Sequence, residues 1–181
     1  SDLRIRTQRR KTGSFNLYAS AMFRQALSPL CGRFGREQEA AEFRRLAAEF
    51  EEAVRSRFWS EEHGLFIDNL PWAAEDGVLH CSDRTLAMGM LYGLLDDAQS
   101  SRAADLLENG SDETVQVGWS YIVNAVWRHR ALFHAGRIGK VLDLLRNPWG
   151  VFPSIENGNA IPEHWHFESD SKDLWSHCGV A

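Results

Sequence analysis

The sequence predicts an all-α fold in which helical hairpins form about half of an (α/α)6 toroid. Apolar residues recur at helical spacing in six segments. Tight turns join these segments in pairs, and longer connections separate the pairs. The pairs lack the fixed period of tetratricopeptide or ankyrin arrays, so we expect hairpins arranged around a shared centre.

The first predicted hairpin pairs a helix at about 14–27 with a longer helix at about 36–58. Ser14 is the expected N-cap, and the Pro29–Gly35 segment, with one proline and two glycines, is expected to end the first helix. The second helix has the clearest period, with charged residues on its other faces. Its apolar positions are Ala40, Phe43, Ala47, Phe50, Val54 and Phe58.

The second predicted hairpin follows an irregular stretch in which residues 65–67 form a candidate short strand. Its first helix runs from Asp83 to about residue 94, with Ser82 or Asp83 as N-cap. Its second helix covers residues 100–108, and the Asn109-Gly110 pair is expected to end it.

The third predicted hairpin follows a loop at 111–117. Its helices cover about 119–134 and 138–146, with Gly136 at the turn and Asn147-Pro148 as the stop. The connections between the hairpins are long, and long ordered loops in compact domains are usually functional.

Size and charge restrict the class of protein. The 181 residues predict one domain over 1–181, with residues 1–13 as a poorly structured segment. The net charge of −5 argues against nucleic acid and anionic membranes as partners. No apolar run has the length of a membrane span, residues 1–13 do not resemble a signal peptide, and nothing assigns a compartment or an oligomeric state.

Function is expected in the last stretch, residues 159–178. It concentrates carboxylates, imidazoles and indoles in a turn-rich segment without helical or strand periodicity. Indole faces stack on sugar rings, and carboxylates handle protons and hydroxyls, so the stretch is predicted to be the floor of a carbohydrate site. Its members are Glu163, Glu168, Asp170, Asp173, His164, His166, His177, Trp165 and Trp175.

Glu163 is the candidate for acid–base chemistry. It follows Pro162 and precedes aromatic or imidazole residues at 164–166, a setting that can raise the pKa of a carboxyl by desolvation. An inverting glycosidase needs two carboxyls about 6.5–9.5 Å apart, one protonated and one ionised. On the residues alone, a loop glutamate that caps a helix or pairs with an arginine is slightly favoured.

No metal or cofactor is predicted. The three histidines of the stretch make only a weak zinc pattern, and His177 is assigned instead as a hydrogen-bond donor to sugar hydroxyls. The cysteines Cys31, Cys81 and Cys178 are widely spaced, which supports neither a zinc site nor a disulfide framework.

The other indoles divide between site and core. Trp165 is favoured as a stacking platform because it neighbours Glu163, whereas Trp175 has equal chances of site and core. Trp119, at a predicted helix start, is expected to face the open end of the barrel, with buried packing as the favoured alternative. Asp83 and Arg84 start another helix, where a cap and an ion pair are favoured. Weaker candidates are Asp68, Asn69, Trp72 and Tyr121.

Several segments resemble six-hairpin glycosidases. The segment Phe58-Trp59-x-x-Glu62-x-Gly64-Leu65-Phe66 resembles the one that follows an inner helix in those enzymes, and Ser82–Leu94 resembles their next helix. Pro162-Glu163-x-Trp165, followed by Trp175-Ser176-His177-Cys178, is similar to the end of the catalytic domain of bacterial and fungal α-L-rhamnosidases, glycoside hydrolase family 78. The resemblance covers nearly the whole chain and is most specific in this last part.

The resemblance implies an (α/α)6 catalytic barrel that removes terminal α-L-rhamnose with inversion. By position, Glu163 is the general base, and Trp165 and His177 line the sugar subsite. Ala160-Ile161-Pro162 stands where the family more often has a hydroxyl pair and an aromatic residue. The family's general acid lies in an Asp-rich segment, which is expected upstream of this chain, so the chain is expected to be the C-terminal half of the barrel.

Three alternatives remain open at this stage. The chain can be a non-catalytic helical carbohydrate-binding remnant, or another six-hairpin glycosidase of the glucosidase or trehalase type. A helical interaction scaffold, the third alternative, predicts an exposed apolar groove and no clustered indoles. The enzyme needs an acidic group opposite Glu163, whereas the carbohydrate-binding remnant lacks one.

Overall fold

The computed structural model describes residues 13–68, 78–120 and 124–147, which form three successive helical hairpins with short strands between them. The helices are α1 (Gly13–Ala21), a π-helical turn (Met22–Leu27), α2 (Ser28–Arg33), α3 (Glu37–Phe58), α4 (Asp83–Leu91), α5 (Asp97–Asn109), α6 (Ala125–His134) and α7 (Ile138–Arg146). The strands are β1 (Trp59–Ser60), β2 (Leu65–Phe66), β3 (Leu79–Ser82) and β4 (Val115–Gly118). The predicted all-α class is confirmed.

The first helix of the first hairpin is longer than predicted. Helical structure continues past Pro29 and Gly32 and ends at Arg33. Pro29 lies in the first turn of α2, directly after the π-helical turn, where a missing N–H and a fixed φ are tolerated. The break falls instead at Gly35, whose φ of +69° favours glycine.

The second hairpin begins as predicted and differs in its second helix. The Ser82 hydroxyl caps α4 by accepting the N–H of Thr85 at 3.3 Å. Helix α5 begins at Asp97 rather than residue 100, because Asp96 and Gln99 form a capping box. It ends at Gly110, whose φ is +88°, as the Asn109-Gly110 pair predicts.

The largest difference from the predicted elements lies in residues 111–120. The predicted loop contains β4, and α6 begins at Ala125, so Trp119 and Ser120 precede the helix rather than start it. Strand β4 runs parallel to β3, with Leu79 opposite Val115 and Ser82 opposite Gly118. The candidate strand at 65–67 is present as β2, which pairs antiparallel with β1.

Helix α4 lies at the centre, packed against α1 and α6, while α3, α5 and α7 each pack against the first helix of their own hairpin. We call α1, α4 and α6 the inner helices. Fully buried side chains from all three hairpins and both strand pairs fill the core, and each contributes about 1.5–3 kcal/mol. They include Leu17, Leu65, Leu79, Leu86, Leu107, Val115 and Leu132. Within the described ranges, no helix is long and apolar enough to cross a membrane.

Candidate functional site

The parallel pair β3–β4 brings the start of α4 beside Trp119 and Ser120, which precede α6. The register ends with Ser82 opposite Gly118, and the next residues are Asp83 and Trp119. Because the C-terminal ends of parallel strands meet at one edge, both residues emerge at the same place. We call this end the mouth: the first turns of α1, α4 and α6 together with Trp119 and Ser120.

Asp83 connects the two strand ends. Its carboxylate is 1% exposed and its Oδ1 accepts the backbone N–H of Ser120 at 3.0 Å. Burial raises the pKa of Asp83, while the hydrogen bonds from Ser120 and the nearby charge of Arg128 oppose that rise. The helix cap is therefore Ser82, and the Asp83 carboxylate serves a contact between elements.

Arg128 is a buried cation that sequence reasoning missed. It lies on α6, is 2% exposed, and donates from Nη2 to the Leu107 carbonyl. Its guanidinium carbon lies 4.1 Å from the centroid of the Trp119 ring, within cation–π range. Burial lowers the pKa of Arg128, and Asp83 opposes that change. The available signal was its position on the helix face that also carries the buried Ala125, Ala131 and Leu132.

Asp68 connects the start of α1 to the start of α4. Its Oδ1 accepts the Ser82 hydroxyl at 3.1 Å, and its backbone carbonyl accepts the Gly13 N–H at 2.7 Å. Burial raises the pKa of the Asp68 carboxyl, although hydrogen bonds from Thr85 and Ser82 act to lower it. Asp68 thus joins the start of α1 to the cap of α4, and Asp83 joins the start of α4 to the segment that precedes α6.

A small cavity of about 110 Å³ lies between the first turns of all three inner helices. Its lining combines aromatic rings with hydrogen-bonding groups, a mixture that suits the faces and hydroxyls of a sugar. The Arg84 guanidinium lies 6.0 Å from the Phe15 ring, and its buried Nε has no hydrogen-bond partner in the described part of the chain. The lining residues are Ser14, Phe15, Tyr18, Arg84, Met88, Asn124 and Trp127.

Of the five predicted site residues, the structure describes Trp119, which belongs to the mouth and is 45% exposed. Its exposure differs from the buried packing that was the favoured alternative. Glu163, Trp165, Trp175 and His177 lie outside the described residues, as do the weaker candidates Asn69, Trp72 and Tyr121. Asp68, ranked low from sequence, lies at the mouth through its contact with Ser82.

The described ranges contain no group of three His, Cys, Asp or Glu side chains that could hold a metal ion. Cys31 and Cys81 are free thiols, and Cys178 lies outside those ranges.

A second and larger cavity, about 390 Å³, lies at the opposite end of the inner helices. Its lining comes from the end of α4, the start of α5 and the turn after α6. Arg137 in this lining pairs with Asp105 at 2.6 Å and Glu108 at 3.4 Å. The lining residues are Met90, Leu91, Asp97, Ser100, Ser101, Ala104, His134, Ala135 and Arg137.

The fold and the mouth define an all-α assembly of helical hairpins of the (α/α)6 toroid type. No protein-family model matches the chain, and no curated protein matches it. Among solved structures, it is similar to a GH78 family rhamnosidase of Bacillus sp. GL1, with 21% identity and a TM-score of 0.62. The alignment covers 77% of this chain and 14% of that one. This likeness shows the fold.

Proposed function

We propose that the chain is part of a glycoside hydrolase that removes terminal α-L-rhamnose with inversion. The observation that carries the proposal is the cavity shared by the first turns of all three inner helices, in a fold like that of a solved rhamnosidase. The resemblance of the last stretch, with Glu163 and its ring-bearing neighbours, supports the same activity.

In this proposal Glu163 is the general base. Its carboxylate takes a proton from a water molecule, whose oxygen attacks the anomeric carbon on the face opposite the leaving group. A general acid, expected upstream of residue 1, donates a proton to the glycosidic oxygen as the bond breaks. The two carboxyls are then about 6.5–9.5 Å apart, which leaves room for the water.

The indoles and imidazole supply binding. Trp165, Trp175 and Trp119 present ring faces to the apolar faces of the sugar, and His177 donates a hydrogen bond to a hydroxyl. What supports Trp119 is its position directly after β4, at the edge where Asp83 also follows β3.

The test is hydrolysis by the longer protein that contains this chain. We expect it to act on an aryl α-L-rhamnoside in preference to aryl glucosides, and Glu163→Gln to lower kcat by about 10²–10⁴-fold while L-rhamnose still binds. Glu52→Gln, an exposed glutamate on α3 outside the predicted site, is the matched control and should leave kcat unchanged. The 181 residues alone are expected to be inactive, because the proposed acid lies upstream.

Other results would redirect the assignment. Unchanged kcat in Glu163→Gln would place the base elsewhere. Preference for a glucoside would indicate another six-hairpin glycosidase, and rhamnose binding without turnover in the longer protein would indicate a binding module.

A further inference from the structure

Arg128 is buried in a way that packing alone does not explain. Arginine is rarely buried unless its charge is paired, yet this side chain is 2% exposed. Within the described residues its Nε and Nη1 have no hydrogen-bond partner, and Nη2 donates to the carbonyl of Leu107. A methionine would fill similar space without the cost of desolvating a cation.

The guanidinium instead lies 4.1 Å from the centroid of the Trp119 ring. Trp119 stands between a strand end and a helix start, is 45% exposed, and belongs to no helix or strand. Fixing such a side chain costs conformational entropy when a ligand has to do it. A buried cation against the ring restricts the indole before any ligand arrives.

Asp83 restrains the same segment through the backbone. Its carboxylate accepts the N–H of Ser120, the residue that follows Trp119. The charges of Asp83 and Arg128 also interact favourably in this buried setting. One member of the pair therefore holds the indole ring, and the other holds the adjacent peptide.

We infer that Arg128 and Asp83 are positioning residues that pre-organise Trp119 as a fixed wall of the mouth for a sugar ring. This inference rests on the proposed function, in which Trp119 contacts substrate. A stacking wall contacts the sugar in the ground state and in the transition state alike, so its misplacement weakens binding more than it slows the chemical step.

The experiment measures KM and kcat on an aryl α-L-rhamnoside, and Kd for L-rhamnose, in the longer protein. Arg128→Lys keeps a positive charge near Asp83 but removes the planar group. We expect KM and Kd to rise about 3- to 30-fold, with kcat within about two-fold of wild type. In a Trp119→Leu background, the same change should have no further effect on either constant.

Arg55→Lys is the matched control. The Arg55 guanidinium lies 5.2 Å from the Trp59 ring and donates to the Leu94 carbonyl, but Arg55 lies in the last turn of α3 and neither residue belongs to the mouth. Arg55 therefore makes the same two kinds of contact as Arg128, one with an indole ring and one with a backbone carbonyl. Its replacement by lysine should leave KM and Kd unchanged. Arg128→Met is the more severe second variant, and Arg128→Lys decides the question if the methionine variant fails to fold.

An unchanged KM in Arg128→Lys, or the same rise in the Trp119→Leu background, would overturn this inference alone if the wild-type protein is active. A wild-type protein that neither binds rhamnose nor hydrolyses a rhamnoside would overturn the proposed function as well.

Discussion

The two ends of the inner helices place their charges in different environments. At the mouth, Asp83 and Arg128 are almost fully buried and hold neighbouring elements in place. At the opposite end, Arg137 and Asp105 form an ion pair with about half of the carboxylate side chain exposed. Exposed pairs contribute little to stability, whereas a buried charge is costly to desolvate. Charges retained at the mouth therefore point to a requirement other than stability.

The cavities add a second contrast. The larger one, about 390 Å³, lies at the opposite end, and the one at the mouth is about 110 Å³. If the sugar site were chosen by cavity size alone, the choice would fall on the end opposite to the one we propose. The mouth differs because the first turns of all three inner helices meet there, together with the carboxylates of Asp68 and Asp83.

The largest effect on stability should come from removing the buried carboxylate of Asp83. Asp83→Ala leaves Arg128 without its compensating charge and the Ser120 N–H without its acceptor, so we expect a loss of about 3–5 kcal/mol in unfolding free energy. The measurement is urea unfolding at pH 7. Asp105→Ala at the opposite end is the control and should cost less than about 1 kcal/mol. Equal losses would remove the contrast between the two ends.

A smaller loss should follow from adding a methyl group where the mouth is tightest. A Cβ on Gly13 would lie 2.4 Å from the Ile67 carbonyl oxygen, a backbone atom that cannot move independently. Gly13→Ala should cost about 1–3 kcal/mol in urea unfolding. Gly139→Ala on α7, where an added Cβ meets nothing within 4 Å, should be neutral or slightly stabilising. Tolerance at both positions would contradict the close packing at the mouth.

The pH dependence should have opposite signs at two carboxyls. Burial raises the pKa of Asp83, so its contribution to stability is complete below about pH 3.9 and is lost as pH rises through the folded pKa. For Asp112, burial raises the pKa but hydrogen bonds from Thr114 and Val115 outweigh it, and the net pKa is lowered. Its contribution is present above about pH 3.9 and is lost as pH falls.

Unfolding of the two asparagine variants between pH 3 and pH 7 tests this difference. Relative to wild type, Asp83→Asn should gain stability as pH rises, whereas Asp112→Asn should lose it. If the stability difference from wild type changed with pH in the same direction for both variants, one of the two carboxyl environments would be wrongly described.

The smallest effect is expected on the outer surface. Arg45 pairs with Glu42 and Glu49 along α3, and all three side chains are more than half exposed. Arg45→Gln should leave the urea midpoint unchanged within error, because exposed ion pairs are screened by water and salt. A clear drop that disappears in high salt would mean that surface charge contributes more than this account allows.

Sequence reasoning recovered the elements whose signals are local. The apolar period of α3, the Ser82 cap of α4 and the glycine after α5 each depend on residues within one or two turns. The start of α5 was misplaced because the prediction began the helix at residue 100 and did not use the capping box that Asp96 and Gln99 form.

The rest depended on contacts between distant parts of the chain. Strand β4 is four residues long, too short for its alternating pattern to identify it, and it is defined by its pairing with β3. Arg128 has an ordinary place in a helical pattern, and only the fold brings it against Trp119 and near Asp83. Buried charges are therefore the part of the mouth that a single sequence does not predict, while Glu163 and its neighbours stand out by composition and resemblance.

The most direct test is hydrogen exchange, with and without L-rhamnose, in the glycoside hydrolase of which we propose that this chain is a part. The account predicts slower exchange at the mouth, in residues 13–18, 82–88, 118–120 and 124–128. Residues 97–104 and 134–137, around the larger cavity, should exchange at unchanged rates. Protection confined to the larger cavity, or no protection at the mouth under saturating rhamnose, would contradict the claim that this end of the helices holds the sugar.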